Sequence, residues 1–195
     1  MSVVIVGENS MSDEMIIRHC SPTLAGLKTG NIFSYPCLDR KEMLLTIRSL
    51  NQRLVPKGVR VIPLKLSSDR VLLYIYRPNK LENDLAVEDT AKLLSEYGYS
   101  VENSAKCVVH LSKRLYESEE FPHEIGLFLG YPPEDVRGFI DNHAEGYKCV
   151  GCWKVYGDEY SAKKKFDRYK KCTDVYCSQW ANGKSIERLT VAVSL

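Results

Sequence analysis

The 195-residue chain lacks the long apolar runs and repetitive segments that mark membrane, fibrous and disordered proteins. No stretch approaches the ~20 consecutive apolar residues that a membrane-spanning helix needs. The first apolar run, residues 3–6, is only four residues long and acidic residues follow it. A secretory signal would need a positively charged start and a longer apolar core. These absences predict a cytoplasmic protein that does not bind a membrane.

An excess of charge of one sign is also absent. The formal net charge is +2, so the charge of the whole chain gives no argument for nucleic acid as a partner. Apolar residues make up 44% and charged residues 27%, as in ordinary globular proteins. We expect one domain, residues 1–195, in which residues 148–195 form a cysteine- and lysine-rich C-terminal subregion.

What the sequence does contain is a clear β-hairpin. Residues 59–66 and 70–77 are two β-rich runs joined by Ser-Ser-Asp, and the second run contains the nearly continuous apolar segment VLLYIY. Pro63 cannot donate a backbone hydrogen bond, which places the first strand nearer an edge and the second at the centre. Helical patterns surround this hairpin in runs, which favours an α+β fold over a doubly wound sheet.

The fold class predicted is therefore α+β, a small antiparallel sheet built on this hairpin and flanked by several helices. Asp39 and Glu42 form a variant capping box that opens a helix ending near Pro56. Ser21 fits an N-cap, with Pro22 at the first helical position. Further helices are predicted over residues 11–19, 22–28, 81–97, 103–116 and 158–171, with short ones after Pro122 and Pro132 and a last short element over 186–193. Residues 31–35 and 148–156 are predicted as strands.

Seven cysteines are the unusual feature of the composition. Cys20 precedes the predicted N-cap Ser21, and a thiolate is favoured near the positive end of a helix. A cysteine-dependent enzyme could use Cys20 as nucleophile, His123 as base and Glu124 as the acid that orients it. The competing interpretation is a packed thiol at a helix junction.

Four cysteines follow residue 148 as two short-spaced pairs, which approaches the pattern of a zinc or iron–sulfur site. Residues three apart on a strand point to opposite faces, and residues five apart on a helix differ by ~140°. Both pairs would therefore need a bend to share a metal, and small buried thiols are the alternative. The candidate ligands are Cys149, Cys152, Cys172 and Cys177.

Basic residues offer two further hypotheses. The stretch 163–171 is rich in lysine, with aromatic residues between, which could bind nucleic acid. Ala162, Phe166 and Tyr169 recur at helical spacing, so a core stripe with solvated lysines outside explains the same pattern. Arg77 and Lys80 follow the central strand, where they and His19 could bind a small anionic ligand. A proline that ends the strand, Pro78, explains the same motif equally well.

Several long strings resemble a known family. They are HCSPTLAGLKTGNIFSY at 19–35, YIYRP at 74–78, FPHEIGLFLGYPPEDVRGFI at 121–140 and YKCVGCWKVYGDEYSAKKKFDRYKKCTDVYC at 147–177. Together they are similar to the bacterial domain of unknown function 3793 family, associated with clostridia and related anaerobes. Residues 1–10, with a strand-like apolar run, depart from the pattern, because such chains usually begin near the first helix.

This resemblance implies a cytosolic, single-domain bacterial protein, and it transfers neither an activity nor a catalytic motif. Its loose association with flavodoxin and iron-uptake genes suggests an accessory or ligand-binding protein in anaerobic redox or iron physiology. Its expected partner is a small ligand or a redox protein.

Overall fold

The computed structural model describes residues 12–192, so the strand-like run predicted within residues 1–10 lies outside the described part. A three-stranded antiparallel sheet is formed by β1 (Gly30–Pro36), β2 (Arg60–Leu66) and β3 (Arg70–Tyr76) in the order β1-β3-β2. The predicted hairpin, its central second strand and the short strand over 31–35 are confirmed. Pro63 lies on the edge strand β2, where the pairing register shifts.

The central strand separates two apolar cores because its side chains alternate between the faces of the sheet. Val71, Leu73 and Ile75 belong to the first core, and Tyr74 and Tyr76 belong to the second. Helices cover both faces, so the α+β fold predicted from the sequence is confirmed in outline.

The first core is covered by three helices of 12 to 23 residues and one short helix. They are α1 (Asp13–Leu24), α2 (Arg40–Leu54), α8 (Glu159–Ala181) and the short α9 (Ile186–Leu189), with a 3-10 turn at Val55–Lys57 after α2. Asp39 caps α2 as predicted, since its carboxylate accepts from the backbone N–H groups of Lys41 and Glu42.

The second core is covered by five helices, four of which are shorter than ten residues. They are α3 (Pro78–Leu85), α4 (Glu88–Glu96), α5 (Ser104–Glu117), α6 (Ile125–Phe128) and α7 (Pro133–Asp141). The helix predicted over 103–116 is confirmed, whereas the one over 81–97 is two helices, with the extended backbone of Val87 preceding α4. Gly98 ends α4 with a φ of +77°, the left-handed conformation expected there.

The prediction of two helices separated at Ser21-Pro22 is wrong. The single helix α1 runs from Asp13 through Pro22 to Leu24, and its N-cap is Ser12, whose hydroxyl accepts from the N–H of Met15. Ser21 lies inside the helix, and its buried hydroxyl donates to the carbonyl of Ile17. The buried face of α1 crosses the predicted break, so tertiary packing outweighs the local capping signal.

The predicted strand over 148–156 is a small hairpin of β4 (Cys149–Val150) and β5 (Lys154–Val155). Gly151 lies at its turn, where an added Cβ would come within 2.3 Å of the Phe166 ring. Trp153, Val155, Ala162 and Tyr169 form a third core between this hairpin and α8. The helix α8 extends to residue 181, ten residues beyond the predicted end.

Within residues 12–192, none of the helices combines the length and apolar composition that crossing a bilayer requires.

Candidate functional site

An apolar pocket of about 280 Å³ lies between α6, α7 and the β4–β5 hairpin. Its apolar walls come from all three elements, and His123 and Lys154 are the basic side chains beside them. The lining residues are His123, Ile125, Gly126, Leu129, Tyr131, Asp135, Val136, Phe139, Val150, Trp153 and Lys154.

Close approach between α6 and α7 shapes the floor of the pocket. An added Cβ on Gly126 would lie 2.8 Å from a methyl carbon of Val136, so any side chain at 126 would push the two helices apart. On the hairpin side, the rings of Tyr131 and Trp153 stack with their centroids 4.8 Å apart. The pocket therefore has rigid aromatic and aliphatic walls.

The buried carboxylate of Asp135 fixes the hairpin against α7. It accepts hydrogen bonds from the indole Nε1 of Trp153 and from the backbone N–H groups of Tyr156 and Gly157, each at 2.7 Å. It also lies in the first turn of α7, at the positive end of the helix dipole. From the sequence, only the position of Asp135 at the start of a helix was predicted. Its three hydrogen-bond donors lie 18 to 22 residues further along the chain, so local patterns did not reveal them.

Two basic side chains reach the pocket. The imidazole of His123 meets the ring of Phe139 edge-on, with centroids 4.9 Å apart. The ammonium of Lys154 donates to the carbonyl of Ala144 at 2.7 Å and lies 4.6 Å from the ring centroid of Tyr147. Since an ammonium has three N–H donors, that single bond leaves capacity for a ligand.

A wider cavity of about 520 Å³ adjoins the pocket and shares His123 and Phe139 with it. Glu124 lies on its wall with a carboxylate that is 1% exposed and accepts from Arg114 Nε at 2.6 Å and from the Tyr99 hydroxyl at 2.9 Å. Burial, together with the Glu124 charge, raises the pKa of Tyr99 above its ordinary value. Glu124, predicted as a catalytic acid, thus joins α5 to the start of α6.

Cys20 lies in a different environment from the one predicted. It is in the third turn of α1, fully buried in the first core, and burial raises the pKa of its thiol to about 12. The prediction of a helix N-terminus that favours a thiolate is therefore wrong. His123 and Glu124 adjoin the second core on the opposite face of the sheet, so the structure does not bring Cys20 to them.

Arg77 is 1% exposed, and its guanidinium is committed to the backbone. Nε donates to Thr23 O at 2.6 Å, Nη2 donates to Leu24 O and Val191 O, and Nη1 donates to Lys57 O at 3.3 Å. The last carbonyls of a helix have no partners within it. Arg77 therefore caps α1, in contrast to the predicted ligand contact.

Lys80 and His19, the other two residues predicted to bind the ligand, lie on different helices, α3 and α1. Lys80 lines a groove of about 370 Å³ with Arg60 and Arg77, so the structure does bring Lys80 and Arg77 together. His19 is on the exposed side of α1, where its ring stacks on Phe33 at 5.3 Å between centroids.

The four late cysteines are divided between two cores. Cys149 packs on the third core and Cys177 on the first, while Cys152 is exposed and Cys172 half-buried. Burial raises the pKa of Cys172 to about 11. Among residues 12–192, no group of three or more His, Cys, Asp or Glu side chains is close enough together to hold a metal ion.

The lysines and the arginine of residues 163–171 lie on the outer face of α8. Ala162 and Tyr169 are buried in the third core, which confirms the core stripe. Two of the lysines form ion pairs along the helix, Lys163 with Glu159 and Lys170 with Asp174.

The family described as "Protein of unknown function (DUF3793)" matches residues 16–190 of the 195. The chain belongs to this family. No curated protein and no solved structure shows a significant match to the chain. The pocket is built from the two longest strings that carried the DUF3793 resemblance, 121–140 and 147–177. Sequence reasoning named His123 there but missed Trp153, Phe139 and Lys154, whose only signal was their place in those strings.

Proposed function

We propose that the protein is a ligand-binding accessory protein that holds a small, mainly apolar molecule with one acidic group. The observation that carries this proposal is the pocket between α6, α7 and the β4–β5 hairpin, with its apolar walls and two basic side chains. Small-molecule sites combine such walls with a few polar groups that fix orientation.

The size and shape of the pocket favour a flat ligand. A volume of about 280 Å³ accommodates a molecule with one aromatic ring and a short substituent. The side chains of Phe139, Tyr131 and Trp153 offer ring faces and edges, against which an aromatic ligand packs in offset or edge-on geometry.

The charges around the pocket favour an anion. Lys154 and His123 supply N–H donors, whereas the one carboxylate in the lining, Asp135, already accepts three hydrogen bonds. A ligand carboxylate would therefore meet donors without facing an unpaired negative charge from the lining. Charge-assisted hydrogen bonds of this kind are stronger than neutral ones.

The role in anaerobic redox or iron physiology, suggested by the family resemblance, stays a prediction, as do a cytoplasmic location and a redox partner protein. The cysteine enzyme lacks support, because Cys20 is buried and on the other side of the sheet from His123. Nucleic-acid binding through residues 163–171 also gains no specific support, since part of that charge is paired within α8.

Fluorine NMR with two probes tests the proposal. The carboxylate 4-fluorophenylacetate should show line broadening on addition of the protein, and the neutral 4-fluorophenylacetamide should bind more weakly. Lys154→Met should lower the affinity for the carboxylate about tenfold, because a hydrogen bond to a charged group is lost. Lys164→Met, on the exposed face of α8, is the matched control and should bind as the wild type does.

Two valine variants distinguish binding of the probes in the pocket from binding elsewhere on the surface. Val150→Phe narrows the pocket and should weaken both probes, whereas Val175→Phe enlarges an exposed valine on α8 and should change neither. If neither probe binds, or if both valine variants bind equally well, the proposal is wrong.

A further inference from the structure

A groove of about 370 Å³ lies between the 3-10 turn after α2, the start of β2 and the start of α3. It shares no lining residue with the proposed ligand pocket or with the wider cavity beside that pocket. Most of its lining residues are exposed, namely Val55, Pro56, Gly58, Arg60 and Asn79. The groove is therefore open to solvent, and a small molecule can enter it directly.

Three cationic side chains meet in this groove. Arg60 opens β2 and is the cross-strand partner of Tyr76, the last residue of β3, so Arg77 follows close beside it. Lys80 is the third residue of α3. The lining contains neither aspartate nor glutamate. Since like charges repel and an anion is attracted by all three cations, the groove favours an anionic occupant.

The charge of these cations is not compensated by carboxylates. Within residues 12–192, none of the three belongs to an ion pair. Arg77 is the most unusual of them, because a fully buried arginine is normally paired with an opposite charge. Its hydrogen bonds end on backbone carbonyls, which satisfy its N–H donors and leave its unit charge in place. That charge acts on the groove that Arg77 lines.

The side chains of Lys80 and Arg60 supply donors that a ligand can use. Arg60 lies near the hydroxyl of Tyr76, and a guanidinium has five N–H donors, so a bond to that hydroxyl leaves four. Asp84, one turn further along α3, is the carboxylate that acts on Lys80. Its carboxylate accepts from the hydroxyl of Thr29 and does not line the groove. The Lys80 ammonium therefore remains available to an anion.

The groove also has room for more than an inorganic ion. A volume of about 370 Å³ is within the range of small-molecule sites. Val55, Pro56 and Pro78 add apolar surface to its walls, against which carbon atoms of a ligand can pack. The expected occupant thus combines an anionic group with a small organic body.

We propose that this groove binds a small phosphomonoester, whose phosphate contacts Arg60 and Lys80. A phosphomonoester carries a charge of about −1.5 to −2 at pH 7 and three acceptor oxygens, so it can bind both side chains at once. Arginine matches two phosphate oxygens with two parallel N–H donors, and lysine adds a point charge. Arg77 contributes through its charge alone, because its donors are held by the backbone. The site is independent of the ligand pocket.

Phosphorus NMR of the intact protein at pH 7, in a buffer without phosphate, tests this inference. The resonance of glycerol 2-phosphate should broaden on addition of the protein. Dimethyl phosphate, a diester with a single charge, should bind at least about fivefold more weakly, since its attraction to the cations is halved. Lys80→Met and Arg60→Met should each lower the affinity for the monoester about tenfold, because a hydrogen bond to a charged group is lost. Lys106→Met, on the exposed face of α5, is the matched control and should bind as the wild type does.

A second comparison separates this site from the ligand pocket. Lys80→Met should leave the binding of 4-fluorophenylacetate unchanged, and Lys154→Met should leave the binding of glycerol 2-phosphate unchanged. Loss of phosphate binding in Lys154→Met but not in Lys80→Met would place the phosphate in the pocket and overturn the proposal. It is equally wrong if glycerol 2-phosphate does not bind, if the diester binds as tightly as the monoester, or if Lys106→Met weakens binding as much as Lys80→Met does.

Discussion

The two faces of the sheet are stabilised in different ways. On the first face, α1, α2, α9 and the end of α8 close a continuous apolar core, and Arg77 binds the carbonyl end of α1. On the second face, four helices of 4 to 9 residues and the 14-residue α5 pack around the core. Buried Glu124 and Asp135 connect these helices to their neighbours.

This difference explains where the pocket lies. Short helices have little stability of their own and rely on tertiary contacts. Most helices of the second face are short, and the buried carboxylates of Glu124 and Asp135 bind them to neighbouring elements. The hydrogen bonds of Asp135 hold α7 and the hairpin in place without filling the space between them. On the first face, α1 and α2 have 12 and 15 residues, and each buries one continuous apolar stripe. A binding site therefore arises on the second face.

The largest expected effect is on the first face. Arg77→Met removes a charged donor from four carbonyl oxygens and should lower the free energy of unfolding by about 3–5 kcal/mol, since a hydrogen bond from a charged group contributes about 1.5–3 kcal/mol. Urea denaturation measures this loss. Lys80→Met, three residues later, is the matched control and should stay within about 0.5 kcal/mol. A loss below about 1 kcal/mol in Arg77→Met would show that α1 does not depend on this cap.

A smaller effect is expected from the anchor of the second face. Asp135→Asn weakens the bonds to the Trp153 indole and to two backbone N–H groups, and should cost about 2–3 kcal/mol. The hairpin wall should loosen, so Trp153 fluorescence should change and binding of 4-fluorophenylacetate should weaken. The neighbouring exposed carboxylate gives the control Glu134→Gln, for which neither signal should move. If Asp135→Asn binds the probe as the wild type does, the Asp135 hydrogen bonds do not shape the pocket.

The smallest effect concerns pH and involves Lys28, a 6% exposed lysine in the turn between α1 and β1. The folded-state pKa of Lys28 is about 8, below the ordinary 10.5, so the unfolded chain binds more protons between these values. The cost of the buried ammonium is therefore fully present below pH 8 and fades as the pH rises toward 10.5. Lys28→Met should raise the free energy of unfolding by about 1–2 kcal/mol at pH 7, with less gain at pH 10.

Unfolding of both proteins in urea at pH 7 and pH 10 measures this difference, and the comparison between them cancels the other titrating groups. A gain that stays constant across the range would indicate that Lys28 is an ordinary charged lysine.

Local signals predicted much of the fold. The alternating and continuous apolar runs predicted the β2–β3 hairpin, and the Asp39 cap, Gly98 and the helix over 103–116 were all indicated by neighbouring residues. Local signals failed at Ser21-Pro22, because a capping pattern cannot report that the same residues lie on a continuous buried face.

The candidate site was predicted less well. His123 was identified from its residue type, but Arg77 and Glu124 were assigned ligand and catalytic roles that their bonding does not support. Each is paired with groups on another element of the chain. A single sequence does not specify which distant donor meets which acceptor.

The sequence by itself determined the secondary-structure periods, the central hairpin, the separation of an apolar stripe from lysines on α8, and the family. Tertiary structure alone decided which charges are buried, which thiols lose reactivity and where a pocket remains open. The physical reason is that periodicity and capping act within a few residues, whereas desolvation and pairing depend on groups brought together from distant parts of the chain.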